Sequence, residues 1–281
     1  MLILQTSDLT GGLFFLGDGM DDRLNQRKAA KRALLQIATE EKSQRETALK
    51  QKNKGWKTEL EKKIPSKVYE GLVRTFSTGF SLVFRQGRKL IEMTYDKQFI
   101  QEQHKTRHDA VMQGRGRQQL RQMEKTIGRK NNVNLTATTA EGIALGIFGV
   151  GMPDIVLFLS TMLKGIYETA LSYGFEYESA EAQYLILAMM RTSLAKGSEW
   201  ERSDREVERL FSDMPSVSEE MLRESIHKTA RVFAVDMLLL KFIQGMPVVG
   251  FLGGAANSVY YRKVMDYVQL KYRKYYFIKQ L

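Results

Sequence analysis

Between Gly142 and Leu163 the chain runs for 22 residues with a single charge, Asp154. That length would suffice to cross the hydrocarbon core of a bilayer. Gly149, Gly151 and Pro153 interrupt the run, and an acid near the middle of a membrane span is costly. The stretch therefore reads as two packed apolar helices joined at Gly151-Met152-Pro153, the second continuing to Ser172 and stopping at Tyr173-Gly174. Glycine there suits the left-handed residue that closes many helices. A second break of the same kind, Gly245-Met246-Pro247, separates an apolar helix ending near Phe242 from a final helix that runs from about Val248 to Ile278.

The remaining segments follow helical rather than alternating periodicity. Residues 21–63 are rich in helix formers but sparse in apolar positions, so they predict a charged helix burying only a narrow stripe, with its first part a solvated arm. Residues 1–20 lack the positive start and long apolar run of a secretory signal and are expected to be a poorly specified tail. Pro65 fits the first position of a new helix carrying Val68, Leu72, Val73, Phe76, Phe80, Val83 and Phe84 at core spacing. An amphipathic stretch follows from Lys89 to about Met112, and Ala180–Leu194 gives another apolar helix. Residues 197–220 read as an acidic surface excursion broken at Pro215. The expected fold is all-α: a compact multi-helix bundle with two Gly/Pro-broken apolar hairpins and a basic N-terminal helical arm. Its division is 1–55, tail and arm, and 56–281, the helical domain.

The chain has no cysteine, which removes disulfides, thiolate metal sites and a cysteine nucleophile. Net charge is +11 and unevenly placed. Residues 1–130 hold 27 Lys and Arg against 15 Asp and Glu, whereas the rest hold 16 against 17. Such asymmetry points to an anionic partner.

Several residues at the breaks and ends form a recognisable set. They are Leu60-Glu61-Lys62-Lys63-Ile64-Pro65-Ser66-Lys67-Val68, Pro153-Asp154-Ile155, the helix end Tyr167 to Phe175, Lys241 to Gly250, then Gly254, Asn257 and the Tyr/Arg-rich terminus. Over roughly 56–278 this set resembles the EcsC family, named for a bacterial protein encoded beside an ABC-transporter pair. The resemblance implies a bacterial, cytoplasmic or membrane-associated all-α protein. It carries over no catalytic residue, substrate or cofactor.

The residues themselves offer few sites. Asp154 is read either as a buried carboxylate that binds a ligand or as an acid in a helix first turn, favoured by the helix dipole. A lone buried charge is expensive, so Lys241, or else Lys164, is expected to pair with it. His104 and His108 share a helix face, but no third ligand and no H-E-x-x-H pattern accompany them, so no metal site is expected and a solvated polar face is. The glycines 142, 146, 149 and 151 lack the Gly-Lys-Ser/Thr of a phosphate loop.

The last helix interleaves Tyr260, Tyr261, Tyr272, Tyr275 and Tyr276 with Arg262, Lys263, Lys271, Arg273 and Lys274. Two readings stay open. These residues are a membrane-interface or anionic-surface contact, or the aromatics are core with a wet basic back. The function expected is a non-enzymatic membrane-associated accessory or scaffold protein, cytoplasmic and peripheral on the inner face. Its partner would be an anionic lipid surface or a membrane protein, an ABC transporter by family context, with no cofactor. A nucleic-acid or anionic-protein binding module is the alternative, although no specific nucleic-acid signature is present. An enzyme or ligand-binding protein with a pocket near Asp154 is the third reading.

Overall fold

A computed structural model describes residues 9–50, 66–87, 91–92, 95–112, 153–243 and 254–281, leaving out the side chains of 9–26, 86–87, 107, 110–112, 153–154, 239–243 and 254–258. Among the described residues eight α-helices make up the body: α1 (Leu9–Lys50), α2 (Ser66–Leu82), α3 (Lys97–Met112), α4 (Pro153–Ser172), α5 (Ala180–Leu194), α6 (Ser198–Ser212), α7 (Glu219–Ile243) and α8 (Gly254–Ile278). A π-helical turn, Val83–Gly87, extends α2. No strand occurs among the described residues. The fold is thus the all-α bundle expected.

Helix ends follow local chemistry. Pro153 opens α4, where its missing N–H and fixed φ suit the first turn. Asp96 caps α3, its Oδ1 accepting from the Phe99 N–H at 2.8 Å. Ser179 does the same for α5, its Oγ accepting from the Ala182 N–H at 3.1 Å. Gly174 closes α4 with φ 75°, and the Phe175 N–H returns to the Ala170 carbonyl at 2.9 Å. A Cβ at Gly174 would lie 2.5 Å from Nε2 of His104 on α3. Gly174→Ala is therefore expected to lose about 2–4 kcal/mol in a denaturant titration, from positive-φ strain together with overpacking. Gly197→Ala, also at positive φ but with open space around it, meets only the backbone strain and should lose less.

The core has two connected parts. α2, α4 and α7 meet through Phe76, Phe80, Phe158 and Phe233, all buried. α8 packs on α1, α4 and α5, and α5 also packs on α6 and α7. α4 and α8 run parallel. Gly165 faces Tyr261 and Met265, and further along both helices the Tyr173 and Tyr276 rings lie 5.9 Å apart. α1 runs antiparallel to α8, since Arg27 donates to the Leu281 carbonyl while Gln44 reaches the carbonyl of Asp266.

Two segments differ from their sequence-based expectation. α1 is not a solvated arm: Ala30, Ile37 and Ala48 are buried against the body, and the helix extends back to Leu9, into the segment expected to be a poorly specified tail. The acidic stretch 197–220 is not a surface excursion over its first part. It holds α6, whose Trp200, Val207 and Leu210 enter the core. The amphipathic stretch from Lys89 contains helical residues 91–92 and then α3, which Asp96 caps at its start.

Candidate functional site

α8 places Tyr267, Lys271, Lys274 and Tyr275 on one face through three- and four-residue spacings. Facing them are Asp204 and Glu208, one turn apart on α6, and Glu41 of α1. Lys271, whose side chain is 2% exposed, sits among all three acids. Its Nζ is 2.8 Å from Glu41 Oε1 and 2.8 Å from Asp204 Oδ1, and it also pairs with Glu208. Lys274 Nζ bridges Glu41 at 3.0 Å and Glu208 at 2.8 Å. The Tyr267 hydroxyl donates to Asp204 at 2.6 Å, and that of Tyr275 donates to Glu208 at 2.5 Å. Outside this group Arg273 pairs with Glu40.

The electrostatics are those of a satisfied network. Burial alone would raise the Glu208 carboxyl, but the Lys271 charge and hydrogen bonds from Lys271, Lys274 and Tyr275 outweigh it and hold the group at about 2. Burial works to lower the Lys271 ammonium, and Asp204, Glu208 and Glu41 together hold it above its ordinary value. Both groups thus stay charged at neutral pH. Such an arrangement joins three helices.

A second polar group lies where α5, α7 and α8 converge. Lys196 Nζ is 2.9 Å from Asp236 Oδ1, and Asp236 also takes a hydrogen bond from Tyr260. Beside it a cleft of about 230 Å³ is lined by Ser43, Thr47, Trp200, Lys263 and Asp266 among others. Burial lowers the Lys263 ammonium, an effect that Asp236 opposes and Lys196 reinforces. Burial likewise raises the Asp266 carboxyl, against the pull of Arg262.

The residues expected to contact a membrane are mostly elsewhere. Tyr260, Tyr261, Tyr272, Tyr275 and Tyr276 are buried, as is Lys271. Arg273 and Lys274 are half-buried and ion-paired. Only Arg262 is exposed, with Lys263 half-buried. Of the two readings of α8, the aromatic-core one describes these rings, because α1, α4 and α5 surround the helix. The basic back is not wet where Lys271 lies. The pair Asp154–Lys241 falls on described helices but outside the described side chains, and the breaks Gly151, Gly245 and Pro247 lie outside the described residues.

The two histidines do not form a solvated face. His104 and His108 are half-buried. His104 Nδ1 lies 3.0 Å from the Ser172 carbonyl, and His108 Nδ1 lies 3.3 Å from the Tyr276 hydroxyl. Among the described residues no group of three or more His, Cys, Asp or Glu could hold a metal ion. One described helix, over Ile155–Ser172, is long and apolar enough to cross a membrane, and 78% of that window is buried in the bundle.

The acids Glu41, Asp204 and Glu208 were not singled out by sequence reasoning. A signal existed: Asp204 and Glu208 follow Trp200 at four-residue steps, so they share the face that Trp200 and Val207 bury.

These features define an all-α bundle whose polar interior is a set of ion-paired helix junctions. The chain belongs to the EcsC protein family: residues 28–277 match the family's model. The match starts within α1, upstream of residue 56, where the motif-level resemblance begins. Neither the curated proteins nor the solved structures contain a match to the chain.

Proposed function

We propose that this protein is a non-enzymatic, membrane-associated accessory or scaffold protein that docks on an anionic membrane surface from the cytoplasmic side. The reading rests on one observation, the parallel course of α4 and α8. It brings the start of both helices to the same end of the body. The sequence leading into α4 is free of charge from 142 to 153, and that joining α7 to α8 is free of charge from 242 to 261. Two long charge-free stretches thus join the body at one pole. Val259, the first residue of α8 with a described side chain, is 49% exposed, and Arg262 stands about one turn further on, where a cation meets headgroups.

The test is flotation of the full chain with phosphatidylglycerol/phosphatidylcholine vesicles against phosphatidylcholine alone. Retention on the anionic vesicles, weakened by salt, is expected. Val259→Asp should reduce that retention about tenfold, since burying a valine is worth on the order of 1.5 kcal/mol. Failure of the unmodified chain to float with either vesicle would sink the proposal.

A further inference from the structure

α1 presents two unlike faces. At 100° per residue, Ala30, Ile37 and Ala48 point the same way, and all three are buried. Opposite them Lys28, Lys31, Arg32, Leu35, Thr39 and Lys42 fall within an arc of about 100°, and every one is exposed. The four cations on that arc make no ion pair among the described residues, in contrast to Arg45, which lies off it and pairs with Glu201. Leu35, in the middle of the arc, is 72% exposed. Among the residues with described side chains, Glu46 is the one acid on the same side. From Lys28 to Lys42 the face extends about 21 Å at 1.5 Å per residue.

We infer that this outer face of α1 is a docking surface for an anionic lipid bilayer. The inference rests on the membrane reading above and adds to it the face that makes contact. Charge complementarity selects an anionic partner. Leu35 favours lipid over nucleic acid: a leucine among lysines can enter the acyl boundary of a bilayer, whereas a phosphate backbone gives it no apolar contact. The face is held rigid from behind, because Glu41 ties α1 to Lys271 and Lys274 of α8. Because α1 is antiparallel to α8, the face runs beside the C-terminal half of α8, with Arg27 at Leu281 and Gln44 at Asp266, and is a contact separate from the pole described above.

The chain has no cysteine, so Leu35→Cys gives a single attachment point for an environment-sensitive dye. On phosphatidylglycerol/phosphatidylcholine vesicles the dye at 35 should shift to the blue, while the same dye at Glu220→Cys, on α7 outside this face, should not. The variant K28Q/K31Q/R32Q/K42Q should keep its helical circular dichroism and lose vesicle partitioning several-hundred-fold at low salt, at about fivefold per cation. If four changes prevent folding, K31Q/R32Q serves in its place, with an expected loss of about 25-fold on the same basis. Unchanged partitioning of the folded variant, or a dye at 35 that stays water-like on vesicles carrying the protein, would overturn the assignment of this face and leave the membrane reading standing. Absence of vesicle binding by the unmodified chain would overturn both. Binding of random duplex DNA without vesicle binding would do the same and assign the face to nucleic acid.

Discussion

Lys271→Ala is expected to destabilise the fold by about 3–5 kcal/mol, the usual consequence of removing one member of a buried charge network. The side chain is 2% exposed and holds three carboxylates, Glu41, Asp204 and Glu208, that belong to two other helices. Without it those acids face one another with Lys274 as the remaining cation among them. Urea titration of the variant and the unmodified chain measures the loss. Adding Asp204→Asn to Lys271→Ala should restore part of it by removing one uncompensated charge; no recovery at all would mean that the network is not electrostatically coupled.

The network also fixes a pH window. Glu208 is held at about 2, below its ordinary 4.5, so its contribution is complete above pH 4.5 and disappears as pH falls toward 2. Lys271 is held above its ordinary 10.5; its contribution is complete below that value and is lost only as pH rises past its raised folded value. The α1–α6–α8 junction is accordingly expected to loosen in acid, not in mild alkali. Glu208→Gln should reduce the acid sensitivity of the unfolding midpoint, and an unaltered acid profile would contradict this account.

How far the sequence disclosed this arrangement depended on how local the determining contacts were. α5 and α7 are written in short-range periodicity, and α4 in its Pro153 start and Gly174 stop; all three could be read directly. α6 was obscured because its acids outnumber its apolar residues, although Trp200, Ser203, Val207 and Leu210 carry the buried spacing. α8 was ambiguous for a deeper reason. Interleaved tyrosines and cations satisfy both a membrane interface and a polar core seam. Only the placement of α6 and α1 against them, more than 60 and 220 residues away respectively in the closest pairings, decides between the two. The cations of α8 look like surplus charge until Glu41 and Glu208 are seen beside them. The surplus available to a partner lies instead on α1, where a narrow apolar stripe leaves the opposite side to Lys28, Lys31, Arg32 and Lys42.

Phe233→Ala is expected to cost a similar 3–5 kcal/mol, for a different reason. Its ring is fully buried and meets Phe76 and Phe80 of α2, each at 5.8 Å between centroids, and Phe158 of α4 at 6.3 Å. Near the same node α2 and α4 approach closely: a Cβ on Gly79 would stand 3.1 Å from a Leu159 methyl. The surrounding helices therefore have little freedom to collapse into the space left. A double-mutant cycle with Phe76→Ala should give a coupling of about 0.5–1.5 kcal/mol, the value of an aromatic pair beyond its buried area. Phe233 is remote from the α1 face and from the ion-paired junction. At temperatures where Phe233→Ala remains folded, its vesicle partitioning should match that of the unmodified chain. A loss of partitioning in the folded variant would show that lipid contact depends on this aromatic node, and hence that docking and core packing are not separable in this protein.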